Sequence, residues 1–162
     1  MLSPQLAEPI QRALASGSPA ESLRTALGVV VRRFGADMGM VHWLNAADGH
    51  LELVATTDGI PEPVLAASRR IPVGKGIAGA TAQSGKPVSI CNLQTDASGV
   101  ARPGAKATGA QGALCVPIFL GDRLVGTLGV GVRGERSFSE AETEELLAVG
   151  RELAAPLGRA HA

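Results

Sequence analysis

Residues Arg69 to Asp96 read R-R-I-P-V-G-K-G-I-A-G-A-T-A-Q-S-G-K-P-V-S-I-C-N-L-Q-T-D. Gly74, Gly76 and Gly79 spell G-x-G-x-x-G, and an acidic residue, Asp96, lies about 20 positions later, which as a bare pattern is the dinucleotide-binding fingerprint. That fingerprint requires a buried parallel strand entering the first glycine and a helix opening at the last, inside a βαβ unit. The approach here is Ala66-Ala67-Ser68-Arg69-Arg70-Ile71-Pro72-Val73. Two arginines and a proline, which cannot donate to a sheet ladder, are unsuited to a central strand. Beyond Gly79 the chain reads as helix and hairpin rather than alternating βα repeats, so the pattern is not taken as a nucleotide site.

The glycines have a local reading instead. Gly74 and Gly76 make a permissive loop, Ile77 to Ser84 supplies about two turns of small-residue helix, and Gly85 offers a left-handed exit. Pro87 to Ile90 then restarts the chain as an extended edge segment. The run I-P-V-G-K-G-I-A-G-A-T-A-Q-S-G-K-P-V-S-I closely resembles the central segment of GAF domains, and the likeness extends from Ser18 to Leu157. It implies an α+β, PAS-like fold: a central antiparallel sheet of five to six strands, with terminal helices on one face. Short helices and a long loop would cover a pocket on the other.

Composition sets bounds. The chain has 162 residues, enough for one domain with a proper core. Lys plus Arg equals Asp plus Glu, 15 each, which removes the electrostatic case for nucleic acid. One Trp, three Phe and no Tyr leave few stacking platforms for single strands. The absence of a long apolar run argues against a membrane span, and the N-terminus has neither the basic nor the apolar region of a secretory signal, so a cytoplasmic location is expected.

The elements emerge from periodicity and punctuation. Ser3-Pro4 reads as an N-cap with proline at the first helical position, and Pro9 is a point of bending or division. Ser18-Pro19-Ala20-Glu21 is a stronger start, continued by Leu23, Ala26, Leu27, Val30, Val31 and Phe34 at helical spacing and a stop at Gly35. Strands are expected over 38–44 and 51–55 around Asp48-Gly49, a short helix over 63–69, and a second hairpin of 113–120 and 124–132. Gly126, Gly129 and Gly131 would leave room for close packing on the return strand. A final helix starts at Ser139 with a capping-box Glu142, carries the stripe Leu146, Val149, Leu153 and Leu157, and should kink at Pro156. Residues 92–111 lack periodicity and read as a lid. The expected organisation is a helical extension over 1–17 and a single GAF domain over 18–162.

Side-chain chemistry is sparse. His42, His50 and His161 form no metal-spaced cluster, and His42, on a strand, reads as structural or pocket-lining rather than catalytic. Cys91 and Cys115 flank the expected lid, either as two buried thiols or as a redox pair. The resemblance includes the free methionine-R-sulfoxide reductases, GAF domains that use one cysteine in the short helix and another in the long loop. Here the first position is Ala78 and residues 92–111 hold no cysteine, so the nucleophile is missing. Nor is there the cysteine beside histidine of bilin-binding members, the N-K-F-D-E signature of cyclic-nucleotide-binding ones, or the loop histidine of haem-binding ones.

The resemblance therefore implies a sensory, non-enzymatic module with an unknown small-molecule ligand, a homodimer pairing through the terminal helices, and a signalling partner protein. The cofactor is unknown. The expected pocket walls are Trp43, Ala78, Thr81, Ser89, Cys91, Asp96 and Cys115. Asp96 either contacts ligand or caps a local turn. The alternative is a binding-incompetent scaffold for dimerisation or docking.

Overall fold

The computed structural model describes residues 2–15, 17–92 and 111–160. Five helices and six strands are found among them, in the order α1 (Pro4–Leu14), α2 (Pro19–Arg33), β1 (Met38–Asn45), β2 (His50–Thr56), α3 (Glu62–Ser68), β3 (Arg70–Pro72), α4 (Gly76–Ser84), β4 (Val88–Ile90), β5 (Gly112–Leu120), β6 (Arg123–Val132) and α5 (Glu140–Ala160). The strands form one sheet in the order β3-β2-β1-β6-β5-β4. Its pairings are antiparallel, so no βαβ unit surrounds the glycine motif. The strand that enters that motif, β3, is a three-residue edge strand, where Pro72 is tolerated.

The helix starts behave as their sequences predict, with one exception. Ser139 Oγ accepts from Glu142 N at 3.1 Å while Glu142 accepts from Ser139 N at 3.0 Å, a complete capping box. Ser18 Oγ accepts from Glu21 N at 3.3 Å. Ser3 does not cap its helix; its hydroxyl reaches instead to Glu145 of α5 at 3.5 Å. Pro9 does not divide α1, and α5 runs through Pro156 to Ala160.

One face of the sheet packs on the terminal helices. Leu23, Leu27 and Val30 of α2 and Leu146, Val149, Leu153 and Leu157 of α5 are fully buried against Val41, Leu128, Leu114, Val116 and Ile118. Helix α1 belongs to the same core through Leu6 and Ile10. The apolar stripes of α2 and α5 thus build the core of one chain, with Val31 of the α2 stripe left half-buried. Gly126 lies where an added Cβ would collide with the His42 carbonyl oxygen of β1 and stand 2.7 Å from Leu157 of α5, so its small size serves the close approach of both. On the opposite face α4 lies over β5 and β6, with Ile77 and Met38 against the smaller cluster Ile90 and Ala113. The expected lid falls almost wholly on 93–110, outside the described residues.

Candidate functional site

The glycine motif builds the floor of α4. Gly74 and Gly76 have φ of +93° and +67°, values that L side chains adopt only with strain. Gly79 has a different task. Its carbonyl accepts from Gly74 N at 2.8 Å, and a Cβ there would stand 2.7 Å from the Pro72 carbonyl oxygen. The three glycines therefore let the β3–α4 turn fold back tightly and seat α4 against the sheet. Gly85, at φ +67°, ends the helix.

Beneath α4 the sheet carries a buried polar group in an apolar surround. His42 is 3% exposed, Thr81 0%, Cys115 4% and Thr127 1%. His42 and Thr127 are cross-strand partners on β1 and β6, and Thr81 comes down from α4, donating its hydroxyl to Ile77 O at 2.8 Å. The Cys115 thiol faces the hydroxyls of Thr81 and Thr127. For Thr127 that approach falls short of a hydrogen bond, and its Oγ1 has no partner among the described residues.

These contacts fix the protonation states. His42 Nε2 lies 2.9 Å from the Ser68 carbonyl, which can only accept, so Nε2 carries the proton and a neutral ring leaves Nδ1 as an acceptor. Burial lowers the pKa of His42, against the opposing pull of the Ser68 bond. Burial pushes the Cys115 thiol up to about 11, with the two threonine hydroxyls acting the other way. The cluster is uncharged at neutral pH.

The expected wall residues divide. Thr81 and Cys115 meet under α4, and Ala78 is half-buried on the same helix. Trp43 does not join them. It shares the pleat phase of Val41 and packs against the helix-side core. Ser89 and Cys91 are exposed, because Val88 and Ile90 take the inward phase of β4 opposite Cys115 and Ala113. Asp96 lies outside the described residues.

The same register corrects the redox-pair expectation. Val88 faces Cys115, so Cys91 is offset by three residues, about 10 Å along the strand at ~3.3 Å per residue. A disulfide tolerates a Cα separation of no more than about 7 Å. An odd offset also places the two side chains on opposite faces, and both thiols are free. The residues missed from sequence are His42 as a certain member and Thr127. The hint for Thr127 was a lone hydroxyl amid the glycines and aliphatics of β6.

Two other features are plain. An open groove of about 610 Å³ runs between the start of α2 and β2, lined by Ala20, Arg24, Leu53, Thr56, Asp58 and Arg69, and contains none of the expected site residues. Among the described residues no group of His, Cys, Asp and Glu could hold a metal ion, and no helix is long and apolar enough to cross a membrane.

The sequence profile of the GAF domain matches residues 16–157. The chain belongs to the GAF family. Solved GAF structures share its fold. The GAF domain of an Acinetobacter phosphoenolpyruvate-protein phosphotransferase superposes with a TM-score of 0.80 at 22% identity, covering 97% of this chain and 92% of that one. The free methionine-R-sulfoxide reductase of Neisseria meningitidis, solved with its substrate, gives 0.78 at 16% identity over 97% and 88%. The phycoerythrobilin-bound GAF domain of a cyanobacterial phytochrome gives 0.72 at 20% over 99% and 97%. At these identities the likeness establishes the fold alone. No curated protein matches the chain. GAF domains are a family of sensory and ligand-binding modules, and this GAF domain presents under α4 a buried, uncharged polar cluster.

Proposed function

We propose that this GAF domain is a sensory module that takes a small neutral molecule between α4 and the sheet and passes its occupancy to a partner protein through a homodimer. The observation that carries the reading is the Thr127 hydroxyl, buried beside neutral His42 and without a hydrogen-bond partner among the described residues. Leaving such a group unsatisfied costs about 1–3 kcal/mol, and a ligand group or an ordered water would recover it. The substrate-bound reductase and the bilin-bound phytochrome domain are GAF-fold proteins that hold small molecules, which supports the same use here. Pairing through the terminal helices would use half-buried apolar residues such as Val29, Val31 and Leu147. We read the module as non-catalytic, since the position of the reductases' helix cysteine is Ala78 and the Cys115 thiol stays protonated.

A second reading has its own support. Thr81 and Thr127 are so completely enclosed that α4 sits flush on the sheet, as a scaffold without a ligand would require. Native mass spectrometry of protein purified from cells separates the two. A defined extra mass that is lost in Thr127→Val supports the sensor, and a dimer carrying no added mass at any protein concentration supports the scaffold.

A further inference from the structure

Residues 133–139 join β6 to α5, and several long-range hydrogen bonds among the described residues converge on them. On one side they hold both strand ends that bracket 93–110. Gly112 N donates to Gly134 O at 3.1 Å, Arg136 N to Cys91 O at 3.2 Å, and Asn92 Nδ2 to Glu135 Oε1 at 2.7 Å. On the other side they hold the helices. Arg133 N donates to Asp37 Oδ2 at 2.7 Å, just past the end of α2. The Arg136 guanidinium donates both to the carbonyl of Phe34, the C-cap of α2, and to the carboxylate of Glu142 in the first turn of α5. It also stacks over the Phe138 ring, 4.5 Å from the centroid.

The chemistry suits this role. A helix C-terminus leaves carbonyls without intrahelical partners, and a cation there is favoured by the dipole. Glu142 is already held by the Ser139 capping box, so Arg136 connects two helix ends that are each fixed. A planar guanidinium can span two such acceptors while stacking on an aromatic ring; an ammonium cannot.

We propose that residues 133–139 form a mechanical joint coupling the strand ends at 91–92 and 111–112 to the ends of α2 and α5, with Arg136 as its positioning residue. A change at the pocket-side strand ends would reach the terminal helices through this joint. Its purpose rests on the sensory reading, but its test needs no ligand, so either can fail alone.

The test is amide hydrogen exchange on the full chain, comparing the wild type with Arg136→Gln and Arg136→Lys. We expect exchange about tenfold faster at Gly112, together with Phe34, Gly35, Glu142 and Thr143, and no rescue by lysine. Faster exchange confined to the α2 end and the first turn of α5 would overturn the proposal, leaving Arg136 a simple cap. A uniform rise over every element would overturn it too, as general destabilisation. Should Arg136→Gln fail to fold, Glu135→Ala perturbs the joint from its exposed strand-end side. Faster exchange at Glu142 and Thr143 supports coupling, and a change limited to residues 91–92 and 135 refutes it.

Discussion

His42 of β1 and Thr127 of β6 stand opposite each other in the antiparallel ladder, and both side chains are buried on the sheet face that α4 covers. Neither is charged, one donates to a backbone carbonyl, and the other has no partner among the described residues. This pair makes the site testable.

Acid should destabilise the protein through His42. Its folded pKa lies below the ordinary value of 6.5 because burial penalises the imidazolium. The unfolded chain therefore binds more protons at mildly acidic pH. Stability from neutral His42 is fully present above about pH 6.5 and falls as pH drops from there toward the folded value, at no more than about 1.4 kcal/mol per pH unit. Urea unfolding at pH 7.5 and 5.5 measures the slope. His42→Gln, which keeps a donor for Ser68 O, should flatten it.

Thr127→Val removes a hydroxyl that makes no hydrogen bond among the described residues and keeps the shape. Stability should rise by about 1 kcal/mol, read from the denaturant midpoint at unchanged m-value. A loss of that size would mean that the hydroxyl has a partner after all.

Gly79→Ala should destabilise by about 1–3 kcal/mol despite alanine's better helix propensity. The new methyl would stand 2.7 Å from the Pro72 carbonyl oxygen and 3.1 Å from Gly74 N, both backbone atoms that cannot rotate away. Thermal unfolding monitored by circular dichroism is sufficient to show it.

The thiols should differ sharply. Cys91 is exposed and should react with a disulfide reagent in the native state, while buried Cys115, with its pKa pushed up to about 11, should react only on unfolding. Mild oxidation of the native protein should yield no link between them, because the β4–β5 register holds them too far apart. Thiol counts before and after denaturation, with intact mass, check both points.

Much of the fold was legible locally. The capping box at Ser139, the amphipathic run from Leu23 to Val30, the Asp48-Gly49 turn and the stop at Gly85 each depend on neighbours within about four residues, and each element formed where those signals place it. Ser3 does not cap its helix, and its hydroxyl lies 3.5 Å from Glu145 of α5, a residue distant in sequence.

By itself the sequence determined the elements, their order and the family, since caps, glycine conformations and periodicity act at short range. Which side of the sheet each strand residue faces was decided only in the tertiary structure. β5 is buried on both faces nearly throughout, so it shows no polar–apolar alternation to give its phase. The phase of β1 depends on its pairing with β2, which slips by a residue between Val41 and His42. A pleat reverses direction at every residue. Hence the neighbours Trp43 and His42, and Cys91 and Ile90, end on opposite faces, and the site belongs to His42, Thr81, Cys115 and Thr127.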